Sequence, residues 1–208
     1  YSRVVEKYSD EIEAHYGIAE LYYLMNRTLW ASRRIDSIYK LNPRHYRTLL
    51  LHAAIKSDAG RIREAEDLIK KAVDASPERA EAYTAYGMLF IKRFTRDGGN
   101  GNLEDAVEEL NRSLAINPGG VEPLRLMGYI ALIRKDYAAA EDYYSRAVAS
   151  SPKNATLHYS LAHTRERAGN SDGAHAAYRK AHSLNTDDDI IQNGFENMLI
   201  SSDVEIGS

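Results

Sequence analysis

Histidine and glycine are the residues whose clustering most invites a chemical reading. Four of the seven histidines fall within 25 residues of one another: His158, His163, His175 and His182. Imidazole can ligate a metal or relay a proton. His175 and His182 stand seven apart, so a helix would carry them on one face but too far apart to chelate one ion. His158 and His163 would point to different faces, and packing or surface roles fit all four better than a metal. The run Arg93-Phe94-Thr95-Arg96-Asp97-Gly98-Gly99-Asn100-Gly101-Asn102 is the other candidate. Its glycines could cradle an anion, and Asp97 with Asn100 could begin a calcium loop. No Lys-Ser/Thr pair follows the glycines, however, and Asp97 lacks carboxylates two and four residues on. A turn between helices is the simpler reading, since lengthening a loop costs little. A loop that touches a partner is the alternative.

Catalysis finds no support elsewhere. The chain lacks G-x-S-x-G, H-E-x-x-H and a P-loop, and no serine or carboxylate has a base and an orienting group at a useful spacing. With no cysteine, disulfides, thiolate metal sites and cysteine nucleophiles are excluded. The expectation is a non-enzyme without cofactor or metal. A net charge of −3 and a pI of about 6.2 offer no broad attraction for nucleic acid or an anionic membrane. No run reaches the roughly 18 apolar residues of a membrane span, and no signal peptide is visible. The first residue is Tyr1 rather than Met, which fits a fragment or processed form. Cytoplasm and periplasm both stay open as compartments. The 15 tyrosines, against one Trp and three Phe, suit helices that are half buried and half presented.

The elements that would carry these residues are set by a period. Pro43 and Pro77 are 34 apart, as are Pro118 and Pro152, and the gap between the two pairs is 41, the same interval plus seven. A fixed period of this size marks a stack of short units that bury their apolar faces only against neighbours. The spacing predicts units at 12–45, 46–79, 80–120 with a seven-residue insertion near 93–102, 121–154 and 155–188. Residues 1–11 would be the second helix of a truncated preceding unit. Residues 189–208 would be a capping helix and tail, with Asp187, Asp188 and Asp189 at its start and an irregular chain from Ser201. Each unit holds two amphipathic stretches. Small residues recur 12 apart in Ala19/Ala31, Ala53/Ala65, Gly128/Ala140 and Ala162/Ala174, and 19 apart across the insertion in Gly87/Ala106. Such pairs let two helix backbones approach. Large residues follow at Ile35, Ile69, Leu110, Tyr144 and Tyr178, then small ones at Ala72, Ser113, Ala147 and Ala181.

This pattern resembles the tetratricopeptide repeat (TPR), a helix–turn–helix unit written W-x2-L-G-x2-Y, then A-x3-F, then P. Tyr83-Thr84-Ala85-Tyr86-Gly87-Met88-Leu89-Phe90 carries its first half, and Ala140-Glu141-Asp142-Tyr143-Tyr144 its second. The sequence departs at His15 and His158 in the Trp slot, at Lys56 and Arg165 in place of the later aromatic, and at Thr186 in place of proline; those sites imply a looser core. The resemblance implies an all-α, right-handed α-solenoid whose first helices line a concave groove. Matched residue by residue, that wall would carry Glu13, Tyr16, Glu20, Tyr23, Arg47, Leu50, Ala54, Thr84, Met88, Ile91, Arg125, Tyr129, Leu132, Tyr159, His163 and Arg167. Tyr, Leu, Met and Ile rimmed by Arg and Glu suit an extended segment or an amphipathic helix of another protein. The Lys/Asn slots of chaperone adaptors hold Tyr16/Glu20, Leu50/Ala54, Thr84/Met88, Arg125/Tyr129 and Tyr159/His163, which speaks against capture of a C-terminal carboxylate. The implied function is a protein-binding scaffold within a larger protein. A self-associating, homo-oligomeric module and a regulatory segment for an enzymatic domain elsewhere in the parent chain are the rival readings.

Overall fold

The structure, a computed structural model, describes residues 9–99 and 103–206. The expected stub of a preceding helix, residues 1–11, lies outside them up to residue 8, and residues 9–11 open the helix Ser9–Leu24 instead; Asn100, Gly101 and Asn102 also lie outside. Among the described residues every regular element is an α-helix. The chain divides into two compact units, one ending at Ile116 and the other beginning at Asn117. The first holds α1 (Ser9–Leu24), α2 (Thr28–Leu41), α3 (Tyr46–Asp58), α4 (Ile62–Ala75), α5 (Ala80–Arg96) and α6 (Glu104–Ile116). The second holds α7 (Val121–Ile133), α8 (Tyr137–Ser150), α9 (Ala155–Arg167), α10 (Ser171–Leu184) and α11 (Asp189–Ile206).

Consecutive helices pair as hairpins, α1 with α2 through α9 with α10. Within each hairpin the paired small residues are buried, Ala19, Ala31, Ala65, Ala106, Ala140 and Ala162 among them with no exposed surface. The large residues that follow fill the space beside them. A Cβ placed on Gly128 would stand 2.8 Å from the Tyr144 ring, and one on Gly87 would stand 2.5 Å from Leu110 Cγ. Tyr144 and Leu110 therefore occupy the room that a methyl group would need.

The ends of the helices have local causes. Second helices stop at Leu41, Ala75, Ile116 and Ser150, each two residues before a proline, which cannot donate the next helical hydrogen bond. α10 stops at the same place, Leu184, although Thr186 stands where proline would. There the Asn185 side chain accepts from Asp187 N, as Asn42 accepts from Arg44 N in the first hairpin, so an asparagine turn ends both helices. Four of the five hairpin turns share a left-handed residue at one position of the unit: Asn26 (φ 57°), Gly60 (φ 73°), Lys135 (φ 59°) and Gly169 (φ 80°).

Two sequence expectations are corrected. The insertion is not all turn: its first residues extend α5 to 17 residues, one helical turn beyond the 13 of α3, α7 and α9. Gly98 and Gly99 then turn the chain with φ of 70° and 77°. The irregular tail expected from Ser201 is instead helix to Ile206, because neither Gly nor Pro interrupts the sequence from Ser201 until Gly207. The polar departures from the repeat pattern are also satisfied rather than loose. Lys56 pairs with Glu64 at 3.2 Å. Arg165 reaches back to Glu141 on α8 at 2.8 Å and donates to Gly173 O. His158 Nε2 bonds Pro152 O at 3.0 Å, the same contact that Tyr83 makes with Pro77 O from the matching slot.

Candidate protein-binding surfaces

In the first unit α1 lies against α3 and α3 against α5, and side chains from these first helices tie them together. Glu13 receives His45 Nε2 at 3.2 Å and Arg47 at 3.1 Å. The Arg47 guanidinium sits 4.1 Å over the Tyr16 ring, a cation–π contact, while Tyr16 donates to Glu20 at 2.8 Å. Burial, then the Glu20 hydrogen bond, pushes the Tyr16 phenol up to about 12. Asp58 joins three first helices at once, accepting from Tyr23 on α1 at 2.7 Å and pairing with Lys92 on α5. Burial pushes Asp58 up, but those two partners outweigh it and hold the carboxyl below its usual range. Tyr46 OH accepts from Ala82 N at 3.0 Å and donates to Glu81. It thus satisfies an amide at the start of α5, whose own N-cap residue, Arg79, supplies no side-chain bond.

These ties decide which wall residues face outward. Tyr16, Thr84 and Ile91 are buried, and Thr84 Oγ1 is bonded to Ser113 Oγ on α6 at 2.8 Å. All three are turned into the core, Tyr16 against Leu51 and Ile55 of the next hairpin and Thr84 within its own, and are not presented. Glu20, Tyr23 and Leu50 are half-buried, Arg47 is exposed but paired, and Met88 is 44% exposed. In the second unit Arg125 makes a double hydrogen bond to Glu122 at 2.9 and 2.6 Å, which raises its pKa. Leu132 is half-buried and Tyr129 is 37% exposed. Tyr159 meets the Tyr178 ring edge-on at 5.6 Å and packs under α11. His163 lines a cleft beside it, and Arg167 is exposed. The outward-facing apolar side chains of the expected wall are therefore Met88 in one unit and Tyr129 in the other.

Two features escaped the sequence reading. Asp58 and Lys92 were not singled out, although Tyr23, Asp58 and Lys92 recur at intervals of 35 and 34 and so mark matching heights on successive first helices. The first hairpin also exposes Ile18, Leu21, Leu24, Met25, Leu29 and Trp30. Ile55, Leu89 and Ile130 stand at Leu21's place in later units and are buried. Among the described residues no three His, Cys, Asp or Glu side chains gather as a metal site. His182 stacks on Phe195 with ring centroids 4.4 Å apart. No helix among the described residues is long and apolar enough to cross a membrane.

Helical hairpins in series, locked by small–large packing and tied through their first helices, define a helical repeat protein. The family model described as tetratricopeptide repeat matches residues 50–121 and 91–155, together just over half of the sequence. The chain belongs to the tetratricopeptide repeat family. Among solved structures it is similar to a thermophilic TPR protein of Thermus thermophilus, with 20% identity, a TM-score of 0.78 and coverage of 91% of this chain and 99% of that one. The Cut9–Hcn1 hetero-tetramer of the APC/C matches with 17% identity and a TM-score of 0.77, over 97% of this chain and 39% of that one. YrrB, a TPR protein with an unusual peptide-binding site, matches with 16% identity and a TM-score of 0.57, over 94% and 97%. These likenesses are of fold. No curated protein sequence matches the chain.

Proposed function

We propose that this chain is a non-catalytic binding module that takes a peptide or helix of another protein on the outward faces of its first helices. The observation that carries this reading is the exposure of Met88 and Tyr129, large apolar side chains on first helices whose charged neighbours are largely paired with one another. Apolar anchors beside satisfied ion pairs are what a binding face needs, because the partner then displaces water without stranding a buried charge. The family's association with protein interaction, and the peptide-binding site named for YrrB, support the same reading. The test is photo-crosslinking from positions 88 and 129 in the folded chain, beside Met88→Glu and Tyr129→Glu. Both variants should keep the helical circular dichroism of the parent and lose partner capture. Undiminished capture by both folded variants would place the partner elsewhere.

Self-association is favoured by a different observation, the exposed Leu21, Met25, Leu29 and Trp30 of α1, α2 and the turn between them. Water-facing apolar area of this kind promotes burial against another surface. Light scattering over a range of concentrations, with Leu21→Glu as the comparison, separates this reading from the first.

A further inference from the structure

We propose that the cleft bounded by α9, α10 and α11 receives a cationic side chain, the arginine or lysine of a partner peptide. The proposal rests on the reading of the chain as a protein-binding module but not on the first-helix wall. The cleft, within the second unit, measures about 350 Å³, room for one long side chain. Tyr159, half-buried, and Tyr178, buried, line it, and aromatic walls of this kind cover the aliphatic stem of a long cationic side chain. The Glu166 carboxylate is held in place because Tyr178 OH donates to its Oε2 at 2.9 Å. Glu166 forms no ion pair with any described residue: Arg165, its neighbour, is turned to Glu141 instead. Most carboxylates on the first-helix faces are neutralised by a nearby cation, whereas this one is left to a ligand. Ile190, exposed at the cleft wall, suits the aliphatic stem of Lys or Arg, and Asn193 adds an amide acceptor.

Gly194 explains how α11 forms this wall. A Cβ there would lie 2.6 Å from Tyr159 Cε2 and 3.1 Å from Tyr178 Cε1, so the helix backbone approaches both rings only because the residue is glycine. Charge favours the same ligand. From Ala181 onward the sequence has Asp187, Asp188, Asp189, Glu196, Asp203 and Glu205 and no Lys or Arg. A chain of net charge −3 thus gathers its excess acid in and around the helix that walls the cleft, which draws a basic segment toward it.

The test is NMR titration of the full chain with N-acetyl-arginine amide, its neutral isostere N-acetyl-citrulline amide and N-acetyl-glutamate amide. The arginine probe should give saturable shifts at Tyr159, Tyr178 and Asn193. Citrulline should bind at least about tenfold more weakly, as should arginine to Glu166→Gln, the scale of one charge-assisted hydrogen bond. Glutamine still accepts from Tyr178, so this variant should melt within a degree or two of the parent. Equal affinity for citrulline, preference for the glutamate probe, arginine binding unchanged in Glu166→Gln, or saturable shifts confined to other helices would each overturn the proposal. Partner capture lost in Met88→Glu but kept in Glu166→Gln removes the cleft and leaves the wall reading standing.

Discussion

Gly128 shows how tightly the hairpins close. Its backbone faces the Tyr144 ring at a distance that leaves no place for a Cβ, and Tyr144 is buried, with burial pushing its phenol up to about 12. Gly128→Ala should destabilise the chain by about 1–3 kcal/mol, because ring or backbone must shift. Gly17 is the contrast: it lies within α1 and a Cβ there would meet nothing within 4 Å. Gly17→Ala should instead raise stability by about 0.5–1 kcal/mol, since glycine is the poorer helix former. Urea unfolding of both variants checks the pair, and a neutral Gly128→Ala would contradict the close approach. The small–large spacing was legible in the sequence because packing acts on residues a fixed distance apart. Which wall residues face water was not. Tyr16 and Thr84 occupy groove slots by position, but Glu20, Arg47 and Ser113 bind them inward, and two of those three partners are tens of residues away in sequence.

At the level of elements, the ends of the second helices followed from proline positions, while side-chain caps at the starts belong to the second unit, α7 with Gly120 at its N-cap excepted. Asp136, Asn154 and Asn170 each cap a helix of the second unit by accepting a backbone N–H. In the first unit Arg27, His45, Arg61 and Arg79 supply no such bond. The turns between paired helices obey a rule that was present in the sequence but unread: Gly60 and Gly169 share one place in their units. Lys135 holds the same left-handed place with a Cβ, at a cost on the order of 1–2 kcal/mol. Lys135→Gly should recover part of it, raising stability by about 0.5–1 kcal/mol in thermal or urea unfolding. An unchanged midpoint would mean that the backbone there is not strained. The extra turn of α5 was not legible from the insertion because residues 93–96 are compatible with helix but carry no stop signal until Gly98 and Gly99, whose positive φ turns the chain. The structure gives that turn partners in Asp105 and the Gly60 carbonyl.

For the molecule as a whole, acidity is a condition to which its first unit should respond. His45 and His52 both lie in the first, and burial lowers the pKa of each, in His45 against the pull of Glu13. Unfolded histidine takes up its proton near pH ~6.5, while these two resist it when folded. Their contribution is therefore complete above about pH 6.5 and is lost as pH falls through and below that value. Trp30 belongs to the same unit and reports on it. Its fluorescence melt should shift down between about pH 7.5 and 5.5, and His52→Phe should reduce the shift; a melt that held or rose on acidification would contradict the buried, neutral rings. The repeat class was legible from end to end because each unit repeats one local solution to one packing problem. The occupant of its surfaces was not, since recognition depends on which charges the fold has already neutralised. Tyr46 carries one last implication. Its phenol completes the opening turn of the following hairpin, so these modules are not interchangeable bricks: a copy of residues 80–116 grafted behind a different predecessor would arrive with a bare amide at its front edge.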